Sequence, residues 1–417
     1  MRIGLVIEEF DPRRGGVEQW TSQAVEHLAA RGHEVHVVAR RFSATTLAMP
    51  IVVHPLGEVP GRIAFAEAAE RVVDSLALDV VHDTGCGWQC DVFQPHGGSR
   101  VAAAARNLLL LPSWMRWIKR SVSRLLPRYR QFDALSTRQY ATDGRRVLAL
   151  SRRVAADLAQ LHNVPREQIH LIYNGVDTER FSPAHRQKYR DRIRGRFGIS
   201  DQSTLMLVVA HNFRLKGVPM LLEAMARWPH RRSADLIVVG GKHLRRYIRM
   251  ARRLGIERRV HFVGVVEDTV PYYAAADVYV HPTFYDPCSL VVLEALSSGL
   301  PVVTTRQNGA SELMTDGLEG ILLDDPADVD TFLRRIEPLL RPEWREPMGR
   351  AARALASRHT FAKNMDEIIK VYEEVYQARR TAEQQAAERL ARPFVCRARG
   401  VETAPSPTTP SDTGVLS

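Results

Sequence analysis

Short apolar runs, separated by glycine-containing or charged turns and by helical stretches, recur along the whole chain. In the first half residues 3–7, 34–39, 79–82, 91–94, 147–151 and 169–172 read as strands; in the second, 204–210, 235–239, 260–263, 278–280, 302–304 and 320–323 do. Runs this continuously apolar suit strands buried on both faces. Their alternation with helical patterns such as 152–161 and 219–227 predicts parallel sheets covered by helices. The opening strand, Gly15-Gly16 turn, helix and strand make a βαβ unit of the doubly wound kind, and the same architecture restarts at Thr204. The chain is therefore α/β. The expected units are 1–175, 176–360, a C-terminal helical segment 361–385 and a polar tail 386–417 rich in Pro, Ser and Thr.

One stretch concentrates polar chemistry on this apolar frame. Val278-Tyr279-Val280 leads into His281-Pro282, the loop through Asp286-Pro287, the apolar run 290–296 with Glu294 inside it, and Gly299 before a new strand. Asp286 followed by proline predicts a helix start with a capping carboxylate and Pro at the first helical position. The unpaired N–H groups of that start, around Ser289 and Leu290, suit phosphate or sugar hydroxyls. At ~1.5 Å per helical residue Glu294 lies about 12 Å beyond Asp286, a spacing that lets two acids hold two parts of one long ligand. The plainer alternatives are that Asp286 only caps the helix and that Glu294 is only a buried, hydrogen-bonded acid.

Further candidates fall at strand ends, where ligands of open parallel sheets bind. Gly15-Gly16 brings bare backbone to the first turn, although a lone Gly-Gly is also an ordinary turn. His82 and His96 both end strands, and His96, before Gly97-Gly98, is the better site candidate. Arg214 and Lys216 stand in a basic loop that opens a helix, as a diphosphate requires: one charge as a fork, the other as a point. Asn308-Gly309-Ala310 again puts small residues at a helix start, suited to phosphate or sugar.

With its two acids and the following Gly299-Leu300-Pro301-Val302-Val303 turn, the central stretch resembles the donor-site signature of the retaining family 4 glycosyltransferases, with aspartate in place of the first glutamate. Asn174-Gly175-Val176-Asp177 resembles that family's interdomain hinge, and Lys216-Gly217-Val218 with His281-Pro282 is similar to the lipopolysaccharide-core heptose glucosyltransferase subgroup. The resemblance implies a GT-B fold, two Rossmann-like domains facing a central cleft, with the last helical segment crossing back onto the first domain. It implies that Glu294 binds the ribose of a nucleotide diphosphate sugar and that Asp286 and His96 contact the transferred sugar. Lys216 and Arg214 would neutralise the departing diphosphate, Gly264 and Val265 would meet the base through backbone groups, and Gly15-Gly16 would face the diphosphate. Neither a metal nor a cofactor is implied; the partners it implies are a nucleotide sugar, UDP-glucose or similar, and a saccharide or glycolipid acceptor, not nucleic acid.

Composition narrows this only in part. With 417 residues and 45% hydrophobic content the chain is long and apolar enough for two cores. Its net charge of +11 favours anionic partners. Cys86, Cys90, Cys288 and Cys396 have no C-x-x-C spacing, and Cys86 and Cys90 with His82 and His96 match no common zinc pattern, so a reducing cytoplasm fits. The stretch 104–130 has Arg116, Lys119, Arg120 and Arg124 set between Trp114, Trp117, Ile118, Val122 and Leu125. Such a pattern suits either a basic amphipathic helix at an anionic membrane surface or a helix packed on its own domain. A nicotinamide-dependent oxidoreductase is the alternative enzyme class, but no G-x-G-x-x-G follows the first strand. A non-catalytic anionic-surface protein is the other, and it leaves the two acids without a task.

Overall fold

The computed structural model describes residues 1–112, 114–117, 127–141, 144–229, 233–241 and 243–391, with no side-chain detail at 127–130 and 390–391. The chain divides into two units, Met1–Val375 and Tyr376–Ser417. Among the described residues the second unit consists of the later part of the helix Phe361–Ala391. That helix runs past the expected boundary at 385 because Ala386, Ala387, Glu388 and Arg389 are strong helix formers. The rest of the expected tail, 392–417, lies outside the described residues.

The first unit carries two all-parallel sheets. One takes β1 (Arg2–Val6), β2 (Glu34–Ala39), β3 (Val52–Pro55), β4 (Val80–Asp83), β5 (Val92–Phe93), β6 (Arg146–Ala149) and β7 (Ile169–Leu171), in the order β3-β2-β1-β4-β5-β6-β7. The other takes β8 (Thr204–Ala210), β9 (Ala234–Gly240), β10 (Val260–Gly264), β11 (Val278–His281), β12 (Val302–Thr305) and β13 (Gly320–Leu323), in the order β10-β9-β8-β11-β12-β13. Both orders reverse beside the first strand, between β1 and β4 and between β8 and β11, and these reversals open the crevices where doubly wound sheets take ligands.

The second sheet is buried on both faces. Leu205, Leu207, Tyr279 and Val302 point into one cluster, and Met206, Val208, Val278, Val280 and Val303 into the other. This explains why its strands read as unbroken apolar runs instead of alternating ones. Each fully buried Val, Leu or Ile contributes on the order of 1.5–3 kcal/mol, so the strand ends are anchored firmly enough to aim loops.

Two connections join the halves. Val176 N–H donates to His359 O at 3.1 Å and Phe361 N–H to Val176 O at 2.9 Å, so the segment beyond β7 pairs with the returning chain. From there the helix beginning at Phe361 lies on the first sheet's layer: Trp20 Nε1 donates to Asn364 Oδ1 at 3.2 Å, Asn364 Nδ2 to Tyr173 O at 2.7 Å, and the Tyr372 hydroxyl lies 2.5 Å from His82 Nδ1. His82 is thereby taken up in the core.

Candidate active site

Loops from both sheets enclose a cleft of about 360 Å³. From the first sheet come Gly15 and Gly16 after β1 and His96 after β5; from the second come Lys216 after β8, Val265 after β10, and Asp286, Ser289, Leu290 and Glu294 after β11. The two walls meet closely, since a Cβ on Gly16 would lie 3.1 Å from Leu290 Cδ1.

The loops after β8 and β11 are locked together. Gly217 has φ +77, and a Cβ there would sit 2.2 Å from Pro282 O, so only glycine fits. The contact puts Lys216 beside the acidic loop, where its Nζ donates to Asp286 Oδ2 at 2.5 Å, while His281 Nε2 lies 3.3 Å from the same oxygen. Burial works to raise the Asp286 pKa, but the Lys216 charge and the His281 contact outweigh it and hold the carboxyl well below the usual range. Asp286 is therefore ionised, with a partner in place before any ligand arrives.

The helix start differs from the sequence expectation. The helix runs Leu290–Ser297 with Ser289 as N-cap, and Asp286-Pro287 belong to the loop before it. Asp286 is drawn off by Lys216 and His281. Asn308 takes over part of the loop's support: its Oδ1 accepts from Ser289 N–H at 3.2 Å and Ala310 N–H at 3.1 Å, and Gly309 N–H donates to Asp286 O at 2.8 Å. Asn308 and Ala310 are fully buried, and Asn308, Gly309 and Ala310 stand behind the 286–289 loop and do not line the cleft.

Glu294 projects from the helix into the cleft and accepts from the Tyr273 hydroxyl at 2.9 Å. Burial raises its pKa to about 7, against the opposing effects of Tyr273 and the Arg180 charge. Arg214 takes another direction: its Nη2 donates to Leu110 O at 2.6 Å across the two halves, and it does not line the cleft. Arg180, just beyond the hinge, does line it. Gly264 ends β10 with φ +84 and delivers Val265, which is 71% exposed, to the rim.

On the first wall His96 packs against Trp20, with ring centroids 4.7 Å apart and the rings tilted by 58°, and burial lowers its pKa to about 3, so it is neutral at physiological pH. Among the described residues, three polar atoms of the cleft lining are buried without a hydrogen-bond partner: His96 Nε2, Asn174 Oδ1 and Ser289 Oγ. Buried polar atoms are rarely left unpaired, so three converging on one cleft point to a ligand rich in hydroxyls or phosphate oxygens. Asn174 is held by its other end, Nδ2 donating to Cys288 O at 2.7 Å. Sequence reasoning passed over Asn174, Arg180, Tyr273 and His281 as site residues; for the first two the only signal was their place beside the hinge. Among the described residues no group of three His, Cys, Asp or Glu comes together as metal ligands would.

A family model described as "Glycosyl transferases group 1" matches residues 203–342, and one described as "Glycosyltransferase Family 4" matches 14–180. The chain belongs to the family 4 glycosyltransferases and has the GT-B fold. It is similar to the lipopolysaccharide glucosyltransferase WaaG of Escherichia coli, 28% identical over 58% of this chain and 64% of that protein. The crystal structure of a WaaG superposes with a TM-score of 0.77 at 22% identity, covering 89% of this chain and 99% of the other. It is also similar to the GDP-mannose-dependent alpha-(1-6)-phosphatidylinositol monomannoside mannosyltransferase of Mycolicibacterium smegmatis, 28% identical over 86% of this chain and 94% of that one. Anabaena HepE in complex with UDP-glucose has a TM-score of 0.66 at 18% identity, covering 91% of this chain and all of the other.

Proposed function

We propose that this glycosyltransferase moves a hexose, with retention, from a nucleotide diphosphate sugar such as UDP-glucose to a saccharide carried on a membrane glycolipid of the cell envelope. The observation that carries the reading is the cleft itself, with unpaired His96, Asn174 and Ser289 atoms beside the Lys216–Asp286 pair and Glu294. Glu294 holds the ribose hydroxyls. Asp286 orients the sugar, and His96, neutral, meets a sugar hydroxyl through Nε2. Lys216 leaves Asp286 in part to follow the charge growing on the departing diphosphate, which is the main electrostatic demand of the reaction. Arg180 is the second cation to meet the diphosphate, since Arg13 and Arg14, which also line the cleft, are paired with Asp11 and Glu9. A leaving phosphate oxygen takes the acceptor proton on the same face, which gives retention without a metal.

The acceptor's location is argued from the first half. Val101, Leu109, Trp114, Met115 and Trp117 are exposed, with Trp114 at 66% and Trp117 at 73%. Two tryptophans left in solvent favour an interfacial role over packing on the domain. The remaining residues of that predicted helix, 118–126, lie outside the described residues. Among the described residues no helix is long and apolar enough to cross a membrane, so attachment at the inner face of the cytoplasmic membrane would be peripheral. The test is a screen for release of UDP or GDP from a panel of nucleotide sugars, with chelator present and with or without anionic liposomes bearing glycolipid acceptor. Turnover of a UDP-sugar with chelator supports the reading. Turnover only with added Mg²⁺ or Mn²⁺ contradicts the mechanism, and turnover of GDP-mannose alone contradicts the donor.

A further inference from the structure

We propose that the second half holds a separate anion site, an arginine-lined cavity behind the donor-side helix, which takes a small phosphate-bearing molecule and communicates with the donor cleft. The cavity measures about 420 Å³ and is walled by Arg186, Arg345, Arg350 and Arg353 against Asp277 and Glu346.

Its charge does not balance. Asp277 accepts from Arg186 at 2.8 Å and from Arg194 at 3.2 Å, and Arg190 lies 3.0 Å away, so one carboxylate already serves three guanidinium groups. Arg353 bonds the carbonyls of Thr178, Phe181 and Ser297 through Nη1 alone, and Arg345 bonds Thr204 Oγ1 and the carbonyls of Leu339 and Leu340 through its own Nη1. Their Nε and Nη2 groups take no part in those bonds. Arg350 is exposed at the rim and has no partner among the described residues. Surplus positive charge in a half-buried cavity is costly unless an anion offsets it, and forked guanidinium groups match phosphate oxygens in geometry. The volume suits a sugar phosphate or a mononucleotide.

The cavity touches the donor machinery from behind. Ser298 and Gly299 in its wall end the helix that carries Glu294. Two of the three carbonyls held by Arg353, those of Thr178 and Phe181, bracket Arg180, whose side chain lines the cleft. An anion that draws on the Arg353 guanidinium therefore pulls on the backbone that places Arg180.

Inorganic pyrophosphate, titrated calorimetrically into the metal-free full-length protein, tests this. Two sites are expected: Lys216→Ala removes the cleft site and leaves the rear one, while Arg350→Glu weakens the rear site at least tenfold and leaves the cleft site. Arg350 has no partner to lose, so the variant should keep its melting temperature and its donor turnover in the absence of pyrophosphate. No binding, a single site lost in Lys216→Ala, or two sites untouched by Arg350→Glu would overturn the proposal. A single site abolished by Arg350→Glu alone would support the rear cavity and count instead against the diphosphate reading of the cleft.

Discussion

On the wall of the cleft built by the second sheet, the two acids and the lysine already have protein partners: Asp286 with Lys216 and His281, Glu294 with Tyr273. The opposite wall offers bare backbone at Gly15 and Gly16, a neutral His96 steadied by Trp20, and Arg13 and Arg14 already paired with Asp11 and Glu9, and the same half carries exposed tryptophans. One wall is organised electrostatically before a ligand binds, so little reorganisation is left for the moment of reaction. The other presents bare backbone and shape, on the half whose tryptophans are exposed, which suits an acceptor delivered from a lipid. Changes on the second sheet's wall should therefore appear in turnover, and changes on the first sheet's wall, His96 apart, in acceptor use and location.

The largest effect is expected at Lys216. Lys216→Ala should lower kcat by about 10²–10³-fold while KM changes far less, because the diphosphate charge it meets grows toward the transition state. Steady-state kinetics with the preferred donor would show it; an equal or greater rise in KM would move Lys216 into ground-state binding. Next, His96→Ala should lower kcat/KM by roughly 10–100-fold, the loss of one or two hydrogen bonds to the sugar. Because burial holds the His96 pKa at about 3, its neutral form persists throughout the usual assay range, and the ratio of wild-type to variant rate should stay flat from about pH 5 to 8. A ratio that changes through pH 6–7 would make His96 a titrating acid or base.

A smaller effect, confined to the acceptor side, is expected for the double change Trp114→Ser with Trp117→Ser. Affinity for anionic liposomes in sedimentation should drop about tenfold, given ~1.5–3 kcal/mol for a large side chain fully buried and partial burial here. Donor hydrolysis in solution should not move, and added salt should weaken wild-type binding. Unchanged liposome binding would leave the acceptor's membrane location without support. The smallest contrast separates two arginines. Arg180→Ala should cost about tenfold in donor kcat/KM, and Arg214→Ala no more than about threefold, since the Arg214 guanidinium serves Leu110 O. The reverse order would return Arg214 to the diphosphate.

How much of this was legible differs between elements. The strands of the second sheet could be read closely, β8 and β13 with their observed bounds, because burial on both faces writes a continuous apolar run. Lys216, Asp286 and Glu294 were recognisable because charge at a strand end or inside an apolar helix needs a reason. What could not be read is where loop side chains point. Arg214 and Lys216 are two positions apart, yet one crosses to the first half and the other faces Asp286. Asn308 sits at a helix start, as expected, yet spends its amide on Ser289, Ala310 and Thr304. No periodicity governs such choices; they follow from tertiary partners. Likewise Arg353 and Asp277 are unremarkable charges in sequence, and only the fold brings them to one cavity.

The central claim, that Glu294 is kept in the cleft to hold a nucleotide and not to hold the fold, is tested most directly by Glu294→Gln with turnover and melting temperature measured on the same sample. Burial raises the Glu294 pKa from 4.5 to about 7, so its contribution to stability is fully present below about pH 4.5 and is lost as pH rises through about 7. Glutamine carries no charge to desolvate. At pH 8 the variant should melt no lower than wild type, while release of nucleoside diphosphate from the preferred donor falls by about 10²-fold, as loss of a charge-assisted bond to ligand would cause. Turnover within twofold of wild type, or lost turnover accompanied by a lower melting temperature, would contradict the account.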